Sequence, residues 1–533
     1  MTSMKNLCHL RLPKQVFNSL FLLNCSCQKK VRSFSSLDSV HAISATGIFD
    51  KTRVAELIKK QQWSELKSLT KITNPNDFLQ LLFQSEVDSD VVLCYFKQSE
   101  KESGVLHGLE LYCQIFHLLA NAKKYNKIRA LLHDFVKNEK HSISSIFHML
   151  SMGSRAFCVN SIIIDMLILA YVKAWKTDLA VEAFERAGDY GFKLSLFSCN
   201  PMLNALVKDA KFDILEKTYK EMIRRRIELD LITFNTTING LCKVGRLQKA
   251  EDVIEDMKVR GFSPGVITYN TLIDGYCKRG GAGKMYKADR ILKEMISEKI
   301  QPNEITFNIL INGFCRDENV SAAMRTFKDM QGQSLKPDVV TYNSLINGLS
   351  GEGKLDEALN LWDEMMGAGL KPNIISYNAL LKGFCKKKML KEARDLFDDI
   401  AEQGLAADVV TFNTLIDAYC KAGSMDEAIA LHYLMLDKNV FPEVSTYNCL
   451  IGGFLRGGNM EAANKLLDEM ENKGLRSDVV TYNIRINALC KKGDSRKAAR
   501  LLDEMIERGV TPTHVTYNTL IDGYCAKETS GQL

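Results

Sequence analysis

Asparagine stands at Asn200, Asn235, Asn270, Asn308, Asn343, Asn378, Asn413, Asn448, Asn483 and Asn518, at steps of 35 residues with a single step of 38. A primary amide donates and accepts hydrogen bonds at once, so a regular row of them can read the edges of successive nucleic-acid bases. The other use of such a position is to cap a helix, for which Asn is favoured. Ser, Thr and Asp cap almost as well, however, so an unbroken run of Asn asks for more than capping.

A second row is basic. Lys173, Lys208, Lys243, Lys278, Arg316, Lys386, Lys421, Arg456 and Lys491 recur at one position, interrupted by Gly351. Cations there can favour a helix C-terminus, or form a ladder matched to a single-stranded phosphate backbone. Spacing alone leaves both uses open. The thiols at Cys242, Cys277, Cys315, Cys385, Cys420, Cys490 and Cys525 lie a repeat apart or more. They cannot converge as the four ligands of a structural zinc, and read instead as small buried residues in a reducing compartment. Beyond residue 160 the histidines are His432 and His514, neither with a ligand-spaced companion. No metal and no cofactor is expected.

The elements that carry these rows repeat as well. Units of 35 residues start at Ser161, Leu196, Leu231, Val266, Glu304, Val339, Ile374, Val409, Val444 and Val479, with three extra residues in the Val266 copy. Each reads as two short helices. In the Val339 copy, Leu345, Ile346 and Leu349 form one apolar stripe, and Leu355, Ala358, Leu359, Leu361, Trp362 and Met365 form another. Gly351 and Gly353 separate them, and Gly369 with Pro372 ends the second. Columns of Gly and Ala mark close helix approach, a Met column fills gaps, and a Tyr/Phe column reads as buried contact. Tandem units of this length stack into a solenoid with one continuous core.

The strings VITYNTLIDGYCKRG, VVTYNSLINGLS and VTYNTLIDGYC, followed by runs such as DEALNLWDEM and ending in LKPD or LKPN, resemble the pentatricopeptide repeat proteins of the pure-repeat class. The resemblance covers about two-thirds of the chain. It implies an all-α, right-handed superhelical solenoid of helix-turn-helix units that binds single-stranded RNA of plant organelles, one base per repeat. Two side chains per repeat would choose the base, the Asn and the repeat's last residue. The pairs are Asp165 with Ser195, Asn200 with Asp230, Asn235 with Gly265, Asn270 with Asn303, Asn308 with Asp338, Asn343 with Asn373, Asn378 with Asp408, Asn413 with Glu443, Asn448 with Asp478, and Asn483 with Thr513. Wedges flanking the bases would be Ile232, Ile267, Ile305, Val340, Ile375, Val410 and Val480, preceded by Ile162 and Phe197, with Ser445 departing from the pattern. By the same resemblance Asn with Asp favours U, and Asn with Asn favours C or U. The implied target is pyrimidine-rich, N-U-Y-Y-U-Y-U-Y-U-Y.

Residues 1–37 hold six basic residues and no acid, around an apolar patch too short to span a membrane. This composition reads as an organellar transit peptide, mitochondrial by its Arg32-Ser33-Phe34-Ser35 end, with chloroplast import as the alternative. The chain has 70 basic and 64 acidic residues, so without that segment the charges balance. Affinity for RNA would then come from local placement rather than bulk charge. Residues 38–160 read as a helical N-terminal region with a degenerate repeat at about 109–143, which caps the array. Residues 161–513 are the ten repeats. The copy in 514–533 stops after one helix, and we read it as part of an array that continues in a longer form. The Gly280–Met285 stretch lacks the first Gly and the Ser/Thr of a phosphate loop and reads as a loop insertion. No deaminase signature and no catalytic constellation is present. Partners are therefore organellar RNA and recruited processing proteins, not a membrane; the alternative is a protein-binding scaffold using the same face.

Overall fold

The computed structural model describes residues 50–70, 74–85, 87–103, 107–138, 141–152 and 161–530. The expected transit peptide lies outside them. Among the described residues there are 28 helices and no strand, and no helix is long and apolar enough to cross a membrane. The described residues fall into two compact units, one of those up to Asp209 with Lys220–Glu228, the other of Ala210–Tyr219 with those from Leu229 onward.

In the first unit, Leu109–Asn121 and Tyr125–Lys137 form a hairpin over the degenerate copy. Its Tyr112 and Cys113 are buried, and the Tyr112 hydroxyl donates to Glu100. Ser161–Lys173 packs on Thr177–Asp189 and on Leu196–Lys208.

The second unit is a stack of hairpins, and the Val339 copy shows why each forms. Asp338 is extended, with φ −107°, and its carboxylate accepts the Thr341 N–H at 2.9 Å. Thr341 returns the bond, its hydroxyl accepting the Asp338 N–H at 3.2 Å. This reciprocal cap starts Val339–Glu352. The helix runs through Gly351 instead of breaking there; Gly353, at φ +80°, is the residue that ends it, because only there does the chain turn left-handed. Leu355–Gly367 follows and closes at Gly369, φ +75°, with the Leu370 N–H on the Met365 carbonyl at 3.2 Å.

Neighbouring first helices meet along a seam of glycine on cysteine. An added β-carbon on Gly275 would meet Cys242, on Gly348 would meet Cys315, and on Gly453 would meet Cys420, each within 3.0 Å. Burial pushes the thiols of Cys242, Cys277, Cys315, Cys385 and Cys420 up to about 12, so they stay protonated. Where alanine replaces the glycine, at Ala418 and Ala488, adjacent first helices pack less closely. The Ala and Met columns of the second helices are buried throughout. Tyr342, Tyr377 and Tyr447 are buried too, and their hydroxyls donate to Glu364, Asp399 and Glu469 on the second helix of the same repeat.

Two local departures follow from the sequence. The three extra residues of the Val266 copy lengthen its second helix to Ala282–Ser297 rather than forming the expected loop. The Gly281 N–H at its start donates to the Asp317 carboxylate, which also makes the spot hostile to phosphate. Arg485 stands where other copies bury Leu310, Leu345, Leu380, Leu415 and Leu450. Its guanidinium lies 5.7 Å from the Tyr482 ring and borders a cleft of ≈ 250 Å³ walled by Leu455, Leu467, Leu489 and Leu501.

Candidate nucleic-acid interface

Three of the sequence rows share one face of the first helices. The second and fifth residues of a helix are neighbours on its surface. The thirteenth lies eleven residues beyond the second, close to three full turns, so it returns to the same side about 16 Å along the axis. The second position is apolar yet exposed: Ile267 is 69% exposed, whereas Leu272 in the same helix is 3% exposed. Ile232, Ile305, Val340, Ile375, Val410 and Val480 are likewise exposed. The thirteenth position puts Lys208, Lys243, Lys278, Arg316, Lys386, Lys421, Arg456 and Lys491 at the surface. Rigid apolar knobs and cations thus line one side of the stack.

The asparagines are not helix caps, and the capping use is corrected here. Each is the fifth residue of its helix, as Asn343 is of Val339–Glu352, while the cap is the last residue of the preceding repeat. Within the second unit the amides instead bridge to the next cap. Nδ2 of Asn270 donates to Asn303 Oδ1 at 3.4 Å, Asn308 to Asp338 at 3.2 Å, Asn343 to Asn373 at 3.2 Å, Asn378 to Asp408 at 3.1 Å, and Asn448 to Asp478 at 3.1 Å. The sequence therefore pairs residues that the fold brings together. Asn200 is half-buried in the first unit, and Asp230 caps Leu231–Val244 in the second.

A third member was missed. Thr306, Thr341, Thr411 and Thr481 donate their hydroxyls to Oδ1 of Asn270, Asn308, Asn378 and Asn448 at 2.5–2.7 Å, and Thr268 does so to Asn235 at 2.8 Å. These threonines are fully buried or nearly so. With Oδ1 occupied from behind, the amide is fixed with its NH₂ toward the cap and the open face. At Asp408, burial works to raise the carboxyl, but hydrogen bonds from the Thr411 N–H and the Asn378 amide outweigh it and hold it below the ordinary carboxylate value.

Four copies differ. Gly265 offers Asn235 no side chain. Ser376 gives its hydroxyl to Asn373 at 3.2 Å, leaving Asn343 Oδ1 buried and unpartnered. Asn483 Oδ1 is also buried without a partner, and Thr513, just before the next helix, donates its N–H to the Thr516 hydroxyl at 3.1 Å. In the first unit Asp165 replaces the amide, and its carboxylate accepts the Ser195 N–H at 3.1 Å, the Ser195 hydroxyl at 2.8 Å and the Ser198 hydroxyl. Three donors from the protein itself fill that position.

The cations have local partners as well. Lys278 pairs with Asp274 and Lys421 with Asp417, each at 2.6 Å, and Lys386 donates to the Gly351 carbonyl at the end of the preceding first helix. Exposed pairs of this kind contribute about 0–1 kcal/mol, so they leave the charges free to meet another anion. Among the described residues no group of three His, Cys, Asp or Glu could hold a metal ion.

Stacked two-helix repeats with a glycine seam and an amide row define a helical-hairpin repeat protein. Nine stretches, residues 194–243, 229–278, 279–316, 305–351, 337–386, 372–412, 407–456, 442–491 and 477–526, match the PPR repeat family, and the chain belongs to it. A pentatricopeptide repeat-containing protein of Arabidopsis thaliana is 28% identical over 137 residues, 26% of this chain and 22% of its own length. Another from the same plant, whose name carries the word mitochondrial, is 24% identical over 127 residues, 23% of each chain. The chain's matches span about a fifth of the length of these curated relatives. The crystal structure of the pentatricopeptide repeat protein PPR10 from maize superposes with a TM-score of 0.50 at 21% identity, over 97% of this chain and 75% of that one. At that identity the likeness is one of fold.

Proposed function

We propose that this chain binds single-stranded RNA of an organellar transcript, one pyrimidine-biased base per repeat, without catalysing a reaction on it. The observation that carries this reading is the recurrent bridge from Asn to the next repeat's cap, held from behind by threonine and flanked by exposed Ile or Val. A base can sit between two successive wedges with its Watson–Crick edge toward the amide and the cap. A cap carboxylate accepts the N3–H of uracil and repels the N3 lone pair of cytosine, so Asp338, Asp408 and Asp478 favour U. The neutral caps Asn303 and Asn373 admit either pyrimidine. The Asp165 repeat, its carboxylate filled by Ser195 and Ser198, is left without a free reading group. Cations at the thirteenth position would follow the phosphates. A mitochondrial site of action rests on the acid-free segment 1–37 and on the name of one relative; RNA stabilisation, splicing, processing or translation are the outcomes such binding serves.

The test is Asn308→Thr in the full chain, measured against RNA oligonucleotides varied at one base. By the family resemblance Thr with Asp favours G, so preference should move from U to G at that base by about 1–3 kcal/mol, with other positions unchanged. An unchanged preference on folded protein refutes one base per repeat.

A further inference from the structure

The partner of the reading amide changes in one repeat, and, resting on the function proposed above, we infer that Ser445 rather than Glu443 is the second base-reading residue of the Val409 repeat. Asn413 Nδ2 donates to Ser445 Oγ at 2.9 Å, whereas in the copies before and after, Asn378 and Asn448 donate to the cap carboxylates of Asp408 and Asp478. Glu443 holds the cap position but is one methylene longer, makes no side-chain cap hydrogen bond and is exposed. Its carboxylate therefore does not occupy the place that Asp Oδ1 takes elsewhere. Thr446 accepts the Glu443 N–H at 3.2 Å and makes no bond to Asn413, whose Oδ1 is buried without a partner.

The exchange has a chemical consequence. Ser445 sits where other repeats carry an exposed wedge, so one substitution removes an apolar flank and supplies a hydroxyl. A hydroxyl accepts the N3–H of uracil or donates to N3 of cytosine, where a carboxylate can only accept. The unpartnered Asn413 Oδ1 also frees the amide to turn over, presenting acceptor or donor. This repeat is therefore a pyrimidine-degenerate position of the array, with weaker hold on its base, and the carboxylate of Glu443 plays no part in the choice.

The experiment uses the full chain and RNA oligonucleotides carrying each base at the eighth position of the expected target. Ser445→Ala should lower the preference for pyrimidine over purine there by about tenfold, Glu443→Ala should leave it within about twofold, and Glu443→Asp with Ser445→Val should convert the position to U over C by about tenfold. Asp408→Ala, read at the seventh base, serves as the control and should lose its U preference. If Glu443→Ala shifts the eighth base, or Ser445→Ala does not while the control responds, the Ser445 assignment is overturned. If Asp408→Ala keeps its U preference, the cap-reading scheme itself falls and Ser445 with it. Thermal melting of each variant confirms that folded protein is compared.

Discussion

A β-carbon built on Gly313 would stand 2.6 Å from the sulfur and 2.7 Å from the β-carbon of Cys277 on the preceding repeat. No side chain fits there without moving one helix off the other. Gly313→Ala should therefore destabilise the second unit by about 1–3 kcal/mol through overpacking, although alanine is the better helix former by about 1 kcal/mol. Adding Cys277→Gly should recover part of the loss by clearing both clashing atoms. Urea unfolding of the two variants checks this; equal stability of Gly313→Ala and the parent would remove steric contact as the reason for the column.

Thr341 both caps its own helix and holds the Asn308 amide. Thr341→Val keeps the shape and removes the hydroxyl, leaving the Asp338 N–H without its partner. A loss of about 1–2 kcal/mol is expected, together with a weaker U preference at the Asn308 base, since Oδ1 is no longer held. Calorimetry and oligonucleotide binding read the two effects separately. A destabilised variant with undiminished U preference would confine the threonine to capping.

Lys243, Lys386 and Lys421 separate backbone contact from helix support. Replacing all three by Gln should change stability little, because Lys386 and Lys421 pair with surface groups and Lys243 is exposed. Affinity should fall alike for every RNA sequence, and the slope of log affinity against log salt should flatten by about 0.7 per lost phosphate contact. An early melt with the salt slope intact would instead assign these side chains to the helix ends.

Arg485→Leu should stabilise the fold. A buried leucine gains about 1.5–3 kcal/mol, while the lost guanidinium–Tyr482 contact is worth about 0.5–1 kcal/mol, so the net is a gain of about 1 kcal/mol. Thermal melting should move upward. A downward shift would mean that the cleft beside Arg485 is needed as it is.

Acid should weaken the Asn378–Asp408 bridge in a defined direction. The Asp408 carboxyl is held below its ordinary value of 3.8 in the folded chain. Its contribution to stability is therefore complete above that value and is lost as pH falls through the depressed native one. Replacing Asp408 by Asn should reduce stability at neutral pH and flatten the acid limb of the stability profile. Parallel limbs for variant and parent would exclude this carboxyl from the linkage.

The repeat frame and both helices of each copy were legible because apolar stripes and glycine stops recur in step. The role of the Asn position in the helix was not, since the cap motif Asp-x-x-Thr straddles the boundary between units and hides when each unit is read alone. Thr341 stands in plain view in VVTYN, yet only the fold shows its hydroxyl reaching back to Asn308. The Asn413–Ser445 bond depends on the extra methylene of Glu443, a matter of length that residue type and period do not register.

The glycine seam also sets how the stack comes apart. In a linear array each repeat is coupled to its neighbours alone, so cooperativity is only as strong as the weakest junction. Ala418 and Ala488 mark the looser junctions between first helices. The second unit is thereby expected to open in blocks of tightly coupled hairpins, with amide exchange beginning at those two seams.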